Sequence, residues 1–299
     1  AVMWFGLFVL ACGPSSLNGS ERHGQTEVGT EQVDDVDTDV VVDDTEDTED
    51  TDVVDTDLDD TSTPVNPGPL GFVGSPCTSD LDCDYDGGLC LTDAEGFTDG
   101  TCSKECDLYC PDEDGYPITF CVPPDELPAD AGDGSCLARC DYGLFPDGGC
   151  RVGYGCALTE RNNQPSTEQY ACLPDAVPVT PTTCQKELIT RGIRFSPLVI
   201  PDDKPSTHAN LTCHVEDPVL LFSPVEGLEL LYYDGTPTAT VKGSCEMALA
   251  LHDTIQDVKP EGATALMHIG TYNCRVISNT NTLSRHAYGD AIDIYGFEI

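Results

Sequence analysis

The sequence predicts an α+β domain at its C-terminal end, preceded by a disulfide-rich region of small modules and, before that, a disordered acidic linker. Three observations carry this. Cys245 to Val258 places Cys245, Ala248, Leu249, His252 and Ile255 at helical spacing, among segments that alternate like strands. Twelve of the 17 cysteines fall between Cys77 and Cys172. Asp and Glu crowd Glu31 to Asp60, and no Lys or Arg occurs between Arg22 and Lys104.

Residues 1–12 read as a lipoprotein signal peptide ending at its attachment site, Cys12. The run Met3 to Ala11 is apolar but too short to cross a bilayer. Val9-Leu10-Ala11-Cys12 resembles a bacterial lipobox, so acyl chains on Cys12 would anchor the mature protein. Gly13, rather than Asp, is the residue expected after the anchor of a Gram-negative outer-membrane lipoprotein facing periplasm or cell surface. A basic n-region is missing and the chain does not begin with Met, so the expectation is a start at Met3 or a clipped N-terminus. The competing reading is an ordinary secretory leader in which Cys12 is incidental.

Residues 13–69 form the linker. Its Asp-Thr-Asp, Glu-Asp-Thr and Asp-Val-Val phrases have no helical period, and like charges repel and extend such a chain. Its carboxylates lack the turn glycine and closing ligand of a calcium site, so a solvated tether is the reading. A net charge of −41, from 54 acidic and 13 basic residues, argues against partners bound through phosphate, whether nucleic acid or anionic headgroup. Membrane contact is therefore expected only through the lipid anchor.

Residues 70–173 are expected to be disulfide modules. Gly, Pro and Asp abound, long apolar runs are few, and a core too small to hold itself must be stapled in an oxidising compartment. Asp99-Gly100-Thr101-Cys102-Ser103-Lys104-Glu105-Cys106-Asp107 recurs 34 residues later as Asp133-Gly134-Ser135-Cys136-Leu137-Ala138-Arg139-Cys140-Asp141. That suggests two modules in tandem, built on small antiparallel hairpins, with a pairing the spacing leaves open. Zinc ligation is the weaker alternative, because no Cys-x-x-Cys occurs. Asp82, Asp84, Asp86 and Gly87 match the first half of an EF-hand calcium loop, but position twelve is Asp93 rather than Glu, and an acidic turn between disulfides is the default.

Residues 174–183 are a Pro- and Thr-rich hinge, and residues 184–299 the last domain. Cys184 to Thr190 and Cys245 to Val258 read as helices, the second entered through Gly243-Ser244 and followed by Pro260. Gly227 to Tyr233, Thr238 to Lys242, Thr264 to Thr271 and Ala291 to Ile299 read as strands. His252 and His268 are expected to serve packing. In Ser284-Arg285-His286-Ala287-Tyr288-Gly289-Asp290-Ala291-Ile292-Asp293, an imidazole and a carboxylate stand seven residues apart across a glycine turn. They should face each other, and they are two of the ligand types a catalytic zinc takes. A surface histidine beside a strand carboxylate is the plainer alternative.

The longer string Ser-x-His-x-x-Gly-x-Ala-x-Asp resembles the signature of the zinc D-alanyl-D-alanine carboxypeptidases and dipeptidases of the Hedgehog-like fold. Gly270-Thr271-Tyr272-Asn273-Cys274-Arg275 is similar to a motif of one branch, the bacterial extensin-like C-terminal domains, as are Cys184 to Leu188, Gly192 to Phe195 and Cys213 to Val219. The resemblance implies a zinc held by His286 and Asp293, with a third ligand from a segment beyond this chain, so the domain is expected to be incomplete. It further implies that Arg275 meets the substrate near the metal and that Ser284 orients the His286 loop. Arg285 stands where the branch commonly has an acid, a flanking change. In this domain Cys184 is expected to pair with Cys213. The function so implied is a lipid-anchored zinc metallopeptidase hydrolysing peptidoglycan stem peptides. The alternatives are a non-catalytic wall-binding or surface interaction protein and, third, a calcium-dependent adhesin.

Overall fold

The computed structural model describes residues 2–3, 8–11, 70–128, 133–145 and 148–299. The expectations for Cys12 and for the linker 13–69 lie outside these residues. Two short strands, β1 (Val2–Met3) and β2 (Phe8–Ala11), come first. Three hairpins follow: β3 (Leu89–Leu91) with β4 (Thr101–Ser103), β5 (Thr119–Val122) with β6 (Ser135–Ala138), and β7 (Tyr154–Arg161) with β8 (Gln164–Pro174). The C-terminal part runs α1 (Thr183–Thr190), β9 (Phe195–Pro197), β10 (Pro218–Phe222), β11 (Glu229–Tyr232), β12 (Thr240–Ser244), α2 (Cys245–Val258), β13 (Ala265–Gly270) and β14 (Ala291–Glu298). The architecture is mixed α+β, with few helices and a disulfide-dense N-terminal region.

Each hairpin is one disulfide module, so the described residues hold three where the repeat suggested two. The bonds are Cys77–Cys90 with Cys83–Cys102, Cys106–Cys121 with Cys110–Cys136, and Cys140–Cys156 with Cys150–Cys172. In every module the first cysteine bonds the third and the second bonds the fourth. The third and fourth oppose one another across the hairpin, as Cys90 and Cys102, Cys121 and Cys136, and Cys156 and Cys172. Each nevertheless bonds upstream, which ties the irregular first half of the module onto both strands. Staples closing 13 to 26 residues contribute about 3 kcal/mol apiece by restricting the unfolded chain. The 34-residue repeat marks junctions: Cys102 ends one module and Cys106 begins the next, and Cys136 and Cys140 do the same again.

The calcium reading at Asp82, Asp84 and Asp86 fails on geometry. Asp82 Oδ2 accepts from the backbone nitrogens of Thr78 and Ser79 at 2.7 and 2.9 Å and from the Thr78 hydroxyl at 2.9 Å. The Thr78 backbone hydrogen bond, then the hydroxyl, hold its carboxyl below the usual range. Asp86 instead stands in solvent 3.9 Å from Lys104 Nζ. No metal-sized cluster among the described residues contains these carboxylates.

In the C-terminal part, β9, β10 and β12 form an antiparallel sheet, and β11, β13 and β14 a second in which β11 runs parallel to β13. The backbone of β2, within the segment read as a leader, pairs antiparallel with Ala291 to Ile294 of β14. Helix α2 begins where the Ser244 hydroxyl accepts from Met247 N at 3.2 Å, and it buries Met247, Ala248, Leu251 and Ile255 against both sheets' core. Burying each large aliphatic side chain contributes about 1.5–3 kcal/mol. His252 belongs to this buried face, as expected. The third module shares the core through Cys140, Tyr142, Cys156 and Cys172. Arg194 and the buried Asp141, 2.7 Å apart, and Tyr142 stacked on Phe195, rings 5.0 Å apart, fasten it there. Val179 of the Pro- and Thr-rich stretch donates to Cys156 O at 2.7 Å and packs on the same core.

The expected Cys184–Cys213 pair is not formed. Cys184, in the first turn of α1, bonds Cys245 in the first turn of α2, while Cys213 bonds Cys274 beyond β13. Asp217 fixes the first arrangement: its carboxylate accepts from Gln185 Nε2 at 2.6 Å and from the Thr182 hydroxyl, and its carbonyl accepts from Cys245 N at 2.9 Å. Peptide mapping of the unreduced protein should therefore return Cys184–Cys245 and Cys213–Cys274, and a Cys184–Cys213 fragment would contradict this fold. Replacing Cys184 and Cys245 together by Ala should lower stability by about 4 kcal/mol in denaturant titration, because that bond closes 61 residues.

Candidate functional site

The site is a turn placed between two loops. Ser284 starts the short 3₁₀ turn Arg285–Tyr288, its hydroxyl accepting from His286 N at 3.4 Å, and Gly289 ends it at φ 70°. A Cβ on Gly289 would come within 2.8 Å of Val215 Cγ1 and 2.9 Å of Ser244 N, so only glycine lets the chain reverse here into β14. Ser244 N donates to Gly289 O at 3.0 Å, which docks the turn on the start of α2. From the other side, Ser284 N donates to Arg275 O and His286 O accepts from Asn273 N, both at 3.0 Å.

These contacts bury His286 to 4% exposure and set its Nε2 3.1 Å from Asp293 Oδ1. Its Nδ1 lies against the Thr271 carbonyl. A carbonyl oxygen can only accept, so Nδ1 carries the proton and the tautomer is fixed. Nε2 then faces a carboxylate that also only accepts. Two such acceptors are stable side by side when Nε2 takes a second proton or when a cation lies between them. Adjacent ligands of a tetrahedral zinc with bonds of 2.0–2.1 Å stand about 3.3 Å apart, close to the spacing here. Zinc-bound histidines commonly donate their other nitrogen to a carbonyl or carboxylate in this way. His286 and Asp293 therefore fit two positions of a zinc shell, and among the described residues no third His, Cys, Asp or Glu atom joins them. The cysteine groups close enough to hold a metal each contain a formed disulfide, which removes their thiolates.

The structure brings four of the sequence-predicted residues together. Ser284 and His286 share the turn, Asp293 follows on β14, and Arg275 lies on the loop hydrogen-bonded to Ser284. The Arg275 side chain is exposed, and no described residue pairs with its guanidinium. Arg285 forms a 3.3 Å ion pair with Asp290 beside the turn. His268 stays apart: it is 3% exposed, lies opposite Ile294 in the sheet, and has Nε2 3.3 Å from Thr238 Oγ1. Burial pushes its pKa below the ordinary value of 6.5. The sequence reading missed the Thr271 carbonyl and the Cys213–Cys274 bond that pins the loop carrying it. The adjacency of Thr271 and Cys274 in Gly270-Thr271-Tyr272-Asn273-Cys274-Arg275 was the available signal.

Residues 182–299 match the family of the extensin-like protein C-terminus. The match opens on Thr182, whose hydroxyl accepts from Gln185 N to cap α1, and takes in the whole site. No curated protein matches the chain, and no solved structure does. The extensin-like region therefore rests its turn on Gly289. Gly289→Ala should lower stability by about 2 kcal/mol or more, from left-handed strain and the backbone clash, read as a shifted denaturant midpoint. A midpoint unchanged by the substitution would contradict the geometry of the turn.

Proposed function

We propose that residues 182–299 form a zinc peptidase site, related to those of the Hedgehog-like D-alanyl-D-alanine peptidases, in a protein anchored to the cell envelope through Cys12. The observation that supports this best is the His286 ring, whose Nδ1–H is committed to Thr271 so that Nε2 and Asp293 present two ligand atoms 3.1 Å apart. A zinc ion held there would lower the pKa of bound water and polarise a peptide carbonyl, which is what amide hydrolysis at neutral pH requires. Thr271, through its carbonyl, keeps the ring oriented, and Ser284 keeps the turn closed. Arg275, exposed and without a partner among the described residues, offers a permanently charged fork for a peptide carboxylate or a developing oxyanion. The substrates proposed are peptidoglycan stem peptides. A linker with the charge density of residues 13–69 would extend away from the lipid anchor and let the domain reach a wall layer at some distance.

A second reading is a non-catalytic wall-binding domain. What favours it is that the described residues supply two ligands, and two are too few to hold a catalytic zinc. The full-length protein separates the two. In the first reading it binds one zinc by elemental analysis and cleaves a peptide ending in D-alanyl-D-alanine, and His286→Ala or Asp293→Ala removes both properties. Arg275→Ala keeps the zinc and lowers kcat/KM by about 10²-fold, because its partner is the substrate. A full-length protein that holds no zinc leaves the wall-binding reading. For the anchor, Cys12→Ser should move the protein from the membrane to the soluble fraction, and a mutant still sedimenting with membranes would count against lipidation.

A further inference from the structure

Two hollows, of about 760 and 510 Å³, lie beside β11, the outer strand of its sheet, and share one wall, residues 237–240. The larger runs between the second disulfide module and β10, with Arg194 and Phe222 in its lining, and the smaller is bounded by Tyr232, Asp234 and Thr236. Both have the size of small-molecule sites, and neither has a part in the site built on His286. The Tyr232 ring is fixed and exposed at once. It stands edge-on to His268, centroids 5.6 Å apart, and tilted against Tyr233 at 5.1 Å, yet the residue is 39% exposed. An aromatic face held in place and open to water offers contact area with little entropy left to lose on binding.

His268 lies behind this wall. Its Nδ1 has no partner among the described residues, and its Nε2 is 3.3 Å from Thr238 Oγ1. A buried N–H without an acceptor is rarer than a buried lone pair without a donor, so the proton sits on Nε2 and is donated to Thr238. The Thr238 hydroxyl then keeps its own hydrogen to donate into the hollows, both of which it lines. Asp234 is set by Thr236 N, which donates to its Oδ1 at 3.0 Å, and the carboxylate can accept further hydrogen bonds.

The lining also decides what does not fit. Arg194, the one cation lining the hollows among the described residues, is paired with Asp141 at 2.7 Å and lies 4.4 Å over the Phe222 ring. A polyanion would therefore meet Glu113, Asp114 and Glu229 without a free counter-charge. An extended peptide finds no strand edge to join on β11, because Tyr232 N donates to Thr236 O at 2.7 Å and Thr238 N to Leu230 O at 2.8 Å. A ligand with flat apolar faces, many hydroxyls and no negative charge does fit. We propose that the two hollows form one binding groove for a neutral oligosaccharide, with Tyr232 as the stacking platform and Thr238 and Asp234 as hydrogen-bond partners of its hydroxyls. The groove uses none of His286, Asp293 and Arg275, so the inference stands with either reading of residues 182–299.

Calorimetric titration of the full-length protein tests this with two neutral probes, tetra-N-acetylchitotetraose and cellotetraose. At least one of them should bind. Tyr232→Ala should raise its Kd about tenfold through loss of one aromatic contact, while Tyr232→Phe keeps it within about twofold because the ring face remains. Tyr109→Ala, which removes a ring 73% exposed on the second module, should leave the Kd unchanged. Binding of neither probe, or binding that Tyr232→Ala does not weaken, overturns the proposal. Binding of tetralysine in place of the sugars overturns it too, and marks the groove as a site for cationic peptide. No outcome is read from zinc or from peptide hydrolysis, so failure here leaves the peptidase reading standing.

Discussion

One hydrogen bond, from His286 Nδ1 to the Thr271 carbonyl, fixes what the site can be. It decides the tautomer, and the tautomer decides that Nε2 meets Asp293 as a lone pair or as a second N–H. Everything around it holds the two partners in place. Asn273 and Arg275 bind the turn through backbone atoms, Ser284 caps it, and Gly289 lets the chain fold back so that Asp293 arrives on β14 at the right height. The Cys213–Cys274 bond closes the assembly from outside, since it anchors the loop that presents the carbonyl.

The rest of the molecule makes that turn rigid by two different means. The extensin-like region has an ordinary core, with α2 laid against its sheets and Ser244 serving both as helix cap and as a dock for Gly289. The three modules share a small apolar core that includes Phe97, Phe120, Val122 and Leu137, and they add crossed disulfides, each hairpin pinned at both strands to the loop before it. The third module departs from that division, because Tyr142 stacks on Phe195 and Arg194 reaches back to Asp141. Its cysteines are packed into the C-terminal core, so the disulfide region is a buttress of the site-bearing part as well as a neighbour in sequence.

Much of this was legible in the residues, and the parts that were not have physical reasons. Helix α2 was found at its observed limits because its period, cap and following proline agree. His286 and Asp293 were found because side-chain type and spacing carry the information. Thr271 was missed because its contribution is a backbone oxygen, which any residue could supply. Strands β9 and β10 were missed because one is three residues long and ends in proline, and the other is a nearly continuous apolar run without alternation. The pairing of cysteines is long-range information, and four cysteines permit three connectivities. The 34-residue repeat is visible in the sequence but spans a junction, so its cysteines belong to two successive modules.

The central claim is that His286 offers a bare Nε2 to a cation shared with Asp293. The direct measurement is 15N NMR of the His286 ring at neutral pH while zinc is added. The account predicts that Nδ1 stays protonated throughout, and that Nε2 shifts on zinc addition in the parent protein and not in Asp293→Ala. A ring that keeps protons on both nitrogens at every zinc concentration would contradict it, and would make the pair a buried ion pair instead of half a metal shell.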